Sequence, residues 1–210
     1  MKLCMFSPRE PELERGWPGR IEDDRVVQLA AQTLQSYFTG GGRAREHAEY
    51  QLADILLRAP VLHPPSVRVF GEDGDFSFAN PASIYGPEDE IPLPAGVDRV
   101  ESDLRIAAVI GADGAIGGFT LMNDWRASEL TGVKARDFAI SLGPVVVTPE
   151  EFPSSGDWSP LVDRAAQNTR LLPGDVIAAG TMRDGPFVAG DVVDVELEGI
   201  GVLRNRIGGG

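Results

Sequence analysis

From about Pro60 to its end the chain never sustains a long periodic segment; it is cut into short apolar runs, each bounded by Gly, Pro or Asp. Val67–Phe70, Leu104–Ile110, Val145–Val147, Val176–Ala179, Val192–Leu197 and Gly201–Arg204 are such runs, and their β-branched composition predicts strands. Two of them open with the same unit, Pro173-Gly-Asp-Val-Ile and Ala189-Gly-Asp-Val-Val, a tight turn feeding a strand. The 25 glycines and 16 prolines among 210 residues supply the turns such a fold needs and argue against a helical bundle. The exception is Asn123–Leu130, which predicts the start of a helix, with Asp124 available as its N-cap.

The first part reads differently. Lys2–Phe6 predicts a short strand, and Asp24–Phe38 places Val27, Ala30, Ala31, Leu34 and Phe38 at helical spacing, with Asp23 or Asp24 to cap it and Gly40–Gly42 to end it. The apolar stretch that follows Tyr50 fits helix or strand, and the prolines at 60, 64 and 65 stop it. The fold class is therefore α+β, predominantly β: a small N-terminal α/β cap over residues 1–59 and a larger β-rich domain over 60–210.

Charge narrows the function. The formal net charge of −13 repels phosphate backbones and anionic membrane surfaces, so neither nucleic acid nor membrane is an expected partner. No apolar run approaches the roughly 20 residues of a membrane span, and proline and charge arrive too early for a signal peptide, which predicts a cytoplasmic protein. One cysteine, Cys4, and two histidines, His47 and His63, exclude an internal disulfide and a Cys/His zinc site. Cys4 reads as an inert buried thiol, Phe119 and Trp125 as core aromatics, His47 as exposed and His63 as structural.

Between Pro64 and Arg206 a series of ordered motifs appears: Phe78-Ala-Asn-Pro-Ala-Ser-Ile-Tyr-Gly-Pro, Ile106-Ala-Ala-Val-Ile-Gly, Gly118-Phe-Thr-Leu-Met-Asn-Asp-Trp, Lys134-Ala-Arg-Asp through Ser141-Leu-Gly-Pro, Leu172-Pro-Gly-Asp-Val-Ile-Ala-Ala-Gly-Thr, and Val195-Glu-Leu-Glu-Gly-Ile-Gly. In this order they resemble the fumarylacetoacetate hydrolase family. The resemblance implies a mixed β-roll, usually dimeric, so a homodimer is expected. It also implies an Mg²⁺- or Mn²⁺-dependent enzyme that hydrolyses carbon–carbon bonds of dioxo acids, or decarboxylates or isomerises related oxo acids. In that chemistry a carboxylate-held dication stabilises an enolate, a lysine adds positive charge, and a His/Glu pair on a lid activates water.

Carried onto this chain residue by residue, the family's two strand carboxylates fall on Asp103 and Arg105, and its third on Asp124. Residues i and i+2 of a strand share a face, so Arg105 would enter the site beside Asp103, and an arginine ligates no metal. The family lysine falls on Lys134, and the substrate-carboxylate contact on Thr181 after Gly180. Arg126 and Ser128 stand exchanged relative to the family's Ser-Ala-Arg order. The lid does not carry over: Phe70 is followed by Gly-Glu-Asp-Gly-Asp and Phe76, no histidine lies between Pro64 and Gly210, and the segment Glu151–Arg170 is short.

These residues define the expected site. Lys134, Asp124 and Arg105 are the catalytic candidates, Thr181, Gly180 and Arg126 the substrate contacts, and Asp103 and Asp124 the ligands of any metal. The expectation is no metal cofactor, Arg105 standing in for the cation and pairing with both carboxylates, with Mg²⁺ or Mn²⁺ on Asp103 and Asp124 as the alternative. Other readings of single residues stay open: Asp103 as half of a buried ion pair with Arg105 or Arg126, and Lys134 as a surface lysine. The substrate expected is a small anionic oxo acid. The competing class is a non-catalytic paralogue that keeps the roll as a binding or dimer-forming scaffold.

Overall fold

The computed structural model describes residues 1–152 and 156–209. In chain order the strands are β1 (Lys2–Pro8), β2 (Trp17–Glu22), β3 (Arg25–Leu29), β4 (Glu46–Gln51), β5 (Ile55–Arg58), β6 (Val67–Phe70), β7 (Phe76–Ala79) and β8 (Ile84–Tyr85). They continue as β9 (Glu90–Ile91), β10 (Arg99–Ile110), β11 (Ile116–Arg126), β12 (Ile140–Val147), β13 (Val176–Val188), β14 (Val192–Leu197) and β15 (Gly201–Ile207). Two α-helices, α1 (Leu34–Thr39) and α2 (Ser159–Ala166), and four single-turn 3-10 helices complete the regular structure among the described residues. The chain is thus α+β and predominantly β, and all six runs expected as strands fall within strands.

The large sheet runs β4-β3-β2-β1-β12-β11-β10-β13-β6-β7, with β5 added to β1 and β8 to β12; a second sheet runs β14-β15-β9. Strand β1 joins β12, through Lys2↔Val147 and Leu3↔Val146, so strands from both sides of residue 60 share one sheet. The long antiparallel trio β11-β10-β13 is its spine. Below its charged middle, Ala107, Met122, Ile140, Leu142, Val176 and Ala178 pack as one apolar cluster. The small sheet is tied to the large one by Ile91, Val193 and Ile207 packing with Val100 and Trp125.

Two sequence expectations are corrected. Asp24–Phe38 is not one helix: Val26, Val27 and Leu29 pair as β3 with β2, and Asp23, at φ 53°, makes the tight turn between them. β-branched residues that can pair with an adjacent strand gain more from a pleated, half-buried surface than from a helix. Helix α1 begins only after Thr33, whose hydroxyl accepts from the Ser36 amide while Ser36 Oγ accepts from the Thr33 amide, and it ends at Gly40. The helix expected over Asn123–Leu130 is likewise absent, because Asn123–Arg126 are the last residues of β11, paired to β10. Asp124 is therefore a paired strand residue and caps nothing. The connection Glu151–Arg170 carries α2; its residues 153–155 lie outside the described residues.

Cys4 is fully buried on β1, and burial pushes its thiol up to about 12, with the Gly19 backbone offsetting only part of the shift. Iodoacetamide at mildly alkaline pH is expected to leave the native protein unmodified and to label one thiol after unfolding in urea; mass spectrometry reads both states. His47 and His63 are both exposed, and Phe119 and Trp125 are core residues.

Candidate active site

The register of the spine assembles a charged row. Asp103 on β10 lies directly opposite Asp124 on β11 and opposite Arg183 on β13, and one step along Glu101 faces Arg126. Directly opposed residues of antiparallel strands share a face, their Cα atoms about 5 Å apart. Asp103 and Asp124 are both buried, so their mutual repulsion, ~3 kcal/mol at an effective dielectric near 20, demands a counter-charge.

Three arginines supply it. Arg136, at the end of a short helical turn over Gly132–Ala135, sends Nη1 to Asp124 Oδ2 at 2.7 Å and Nη2 to Asp103 Oδ2, so one guanidinium spans both carboxylates. Arg183 donates Nε to Asp103 Oδ1 at 2.9 Å. Arg105 enters the site as the i+2 rule requires, its Nε 3.6 Å from Asp124 Oδ2 and its side chain 10% exposed. A bulge in β13 places two residues, Gly180 and Thr181, opposite Arg105. Gly180 takes φ 72°, a conformation glycine adopts without strain, and its carbonyl accepts from Arg105 Nη1 at 2.7 Å. The Phe70 carbonyl accepts a longer bond, 3.4 Å, from the same atom.

The shared arginine does not make the two carboxyls alike. Burial pushes Asp103 up, but the hydrogen bonds from Arg183 and Arg136 outweigh it and hold its carboxyl below the ordinary range. For Asp124 burial wins over the charges of Arg136 and Arg105, and the nearby Asp103 adds to it, so its carboxyl sits above the ordinary range. A depressed carboxyl stabilises the fold above its unfolded value and loses that contribution as pH falls through the folded value. Asp103→Asn is therefore expected to melt furthest below the native protein near neutral pH, the gap narrowing below about pH 4, as thermal melts across that range will read.

Above this row lies a cavity of about 730 Å³. Arg105, Arg136 and Asp124 contribute to its lining, and the hairpin β6–β7 brings Phe70, Phe76 and Phe78 to it. Phe76 stacks against Phe70 and meets Phe78 edge-on, at 5.2 and 5.5 Å between ring centres, and Arg68 lies within 5.8 Å of the Phe76 and Phe78 rings. This hairpin carries the Gly-Glu-Asp-Gly-Asp stretch that the sequence places in lieu of a His/Glu lid.

The expected residues are thus partly gathered. Asp103, Asp124, Arg105 and Gly180 converge. Lys134 stays at the surface, its side chain 74% exposed and its Nζ 2.7 Å from Asp137 Oδ2; only Asp137 lines the cavity. Arg126 pairs with Glu101 at 3.7 Å, one step from the row, and Thr181 is exposed in the bulge. The ion pairs of Asp103 are with Arg136 and Arg183, in place of Arg105 or Arg126. Arg105 is near Asp124 only, so the group between the carboxylates is Arg136, a correction to the expectation that Arg105 holds that position. Neither Arg136 nor Arg183 was among the expected site residues; the register that opposes Arg183 to Asp103 is set by residues far apart in sequence.

A family model described as fumarylacetoacetate (FAA) hydrolase C-terminal matches residues 45–159 and 156–208. The chain belongs to the fumarylacetoacetate hydrolase family. Among its relatives, an uncharacterised protein of Methanocaldococcus jannaschii is 33% identical over 170 residues, 62% of this chain and 71% of that protein. A human protein named oxaloacetate tautomerase FAHD2A, mitochondrial, is 28% identical over 177 residues, 60% of this chain and 56% of that protein. Among solved structures, the 5-carboxymethyl-2-hydroxymuconate delta-isomerase of Mycobacterium smegmatis superposes with a TM-score of 0.83 at 26% identity, covering all of both chains. A maleylpyruvate hydrolase from Sphingobium sp. SYK-6, solved with manganese(II) and pyruvate, superposes at 0.77 with 19% identity over the whole of both chains, a likeness of fold.

A protein of the same fold has thus been solved with a manganese ion, and the donor set here does not suit such an ion. Among the described residues no three or more His, Cys, Asp or Glu side chains are grouped to hold one. The two buried carboxylates are already bonded to guanidinium groups, and the third position is Arg105. A hard dication wants several oxygen ligands and no adjacent positive charge. Among the described residues no helix is long and apolar enough to cross a membrane.

Proposed function

We propose that this chain is an enzyme that draws a small anionic oxo acid into the cavity over Asp124 and handles it through its enol form. One observation carries the reading: a cavity of about 730 Å³ that sets two guanidinium groups, Arg105 and Arg136, beside the buried carboxyl of Asp124 and a phenylalanine wall, with Asp73, Asp75 and Asp137 also in its lining. A guanidinium offers a planar fork of donors that matches a carboxylate, and a second one beside it polarises a keto oxygen. When a proton leaves the carbon next to that keto group, charge collects on the oxygen, where Arg105 and Arg136 are already oriented to stabilise it. Asp124, its carboxyl raised by burial, is the group on the cavity lining suited to take that proton and return it. Lys134 stays outside the cavity and neutralises Asp137, a carboxylate of its lining, through a 2.7 Å ion pair. Phe70, Phe76 and Phe78 give the carbon chain of a ligand an apolar side to pack against.

Names among the relatives, tautomerase and isomerase, agree with proton transfer as the core step. Carbon–carbon hydrolysis needs a water activator besides, and the His/Glu pair of the family resemblance has no counterpart here. The test follows enol absorbance of oxaloacetate and of acylpyruvates, with the protein in chelator and with added Mg²⁺. Acceleration of keto–enol exchange is expected in chelator, falling by roughly 10²-fold in Arg105→Gln. A second reading, a binding scaffold without catalysis, is favoured by the full pairing of both carboxylates with arginine. It takes over if oxo acids bind and no exchange is accelerated.

A further inference from the structure

We propose that Arg136 is a resident cation: its guanidinium fills the position between Asp103 and Asp124, the centre takes no divalent metal, and the donor edge of Arg105 receives the carboxylate of a small anionic ligand directly.

Asp103 and Asp124 are cross-strand partners, and Arg136 bonds both through its two terminal nitrogens, as a shared ion would through two coordination bonds. Arg183 occupies the other oxygen of Asp103. Arg136, Arg183 and Arg105 stand against Asp103, Asp124 and Glu101, the last 4.0 Å from Arg183, so the carboxylates are already balanced by fixed positive charge and offer a dication no uncompensated negative site.

Among the described residues one donor of the cluster is left without a hydrogen bond. Arg105 Nε is buried and has no hydrogen-bond partner among the described residues, and Arg105 lines the cavity. A buried donor with no hydrogen bond, held only by a 3.6 Å ion pair to Asp124, is a place where a ligand can complete a site. Here that group is a donor. A donor is completed by an acceptor such as a carboxylate oxygen, and a metal ion would leave it as it is.

The two arginines also differ in rigidity. Arg136 is 35% exposed and sits on a short turn, so its side chain has room to swing outward. Arg105 does not: it is 10% exposed and its Nη1 is tied to the Gly180 carbonyl of the β13 bulge at 2.7 Å. Even with Arg136 displaced, the position of a third ligand stays filled by a fixed positive charge.

The inference concerns binding, so it stands or falls apart from the proposed reaction. Calorimetric and spin-resonance titration of the metal-stripped native protein with Mn²⁺ is expected to give no saturable binding through the millimolar range. In the double variant Arg105→Glu with Arg136→Met, which restores a third carboxylate and removes the bridging charge, Mn²⁺ affinity is expected to rise at least tenfold over the native protein. One Mn²⁺ bound saturably by the native protein and lost in Asp124→Asn would overturn the proposal. Because the double variant places a new carboxylate in a buried row and can fail to fold, a second measurement uses native protein and a mild change. Oxalate in excess chelator is expected to raise the melting temperature of the native protein and to lose that effect in Arg105→Gln. Stabilisation by oxalate that requires added Mn²⁺, or that survives in Arg105→Gln, counts against it.

Discussion

Trp125→Ala is expected to lower the unfolding free energy by about 3–5 kcal/mol, the range for deleting a large aromatic from a packed core. The indole is fully buried, meets Phe187 edge-on with ring centres 6.3 Å apart, and packs with Val100, Ile91, Val193 and Ile207. These contacts hold the small sheet on the large one, so the cavity left behind opens at a junction. A second cost is polar: Nε1 donates to Ser141 Oγ at 2.8 Å, both groups are buried, and truncation leaves the hydroxyl short of a partner at roughly 1–3 kcal/mol. Trp125→Phe keeps most of the apolar surface and loses the donor, so about 1–2 kcal/mol is expected. Urea unfolding at neutral pH reads both; a loss under about 1 kcal/mol for the alanine variant would mean that the two sheets hold together without this residue.

The strands were legible where a run was both β-branched and bounded by turn residues, as at Val67–Phe70 and Val192–Leu197. They were illegible where pairing did what composition did not. Strand β4, Glu46–Gln51, is almost entirely exposed and polar, and only its register with β3 makes it a strand. Strand β2 contains Pro18 and Gly19, which read as loop. At Gly19 an added Cβ would fall 2.4 Å from Val26 Cγ1, so the residue serves close strand approach. Asn123–Leu130 misled because Asp124 is a good cap in isolation. Its partners, Asp103 and Arg136, lie 21 and 12 positions away, and no local window contains both sides of that cluster.

The candidate site divides the same way. The i, i+2 relation of Asp103 and Arg105 is a property of any strand, and it held. Arg183 was hidden because its place depends on two irregularities in the β10–β13 pairing. Arg136 was hidden in plain sight, two residues after Lys134. The expectation rested on the lysine, whereas the helical turn over Gly132–Ala135 sends Lys134 outward to Asp137 and leaves Arg136 over the carboxylates.

Arg136→Met tests that arrangement through stability. Removing one partner of a buried ion pair costs ~3–5 kcal/mol when nothing replaces it. Here Asp103 keeps Arg183 and Asp124 keeps the looser contact with Arg105, so about 2–4 kcal/mol is expected at neutral pH. The pH dependence fixes the cause. Without Arg136 the two opposed carboxyls repel with less compensation, both folded-state values rise, and the folded variant binds protons more readily than the folded native protein. Its deficit relative to the native protein therefore shrinks as pH falls from about 7 toward 4.5, whereas lost packing alone would give a deficit independent of pH. Arg136→Lys sharpens the reading, because an ammonium is a point charge and cannot span two carboxylates as a planar fork does. It is expected to recover less than the whole loss while restoring most of the native pH profile, and urea unfolding at the two pH values measures both.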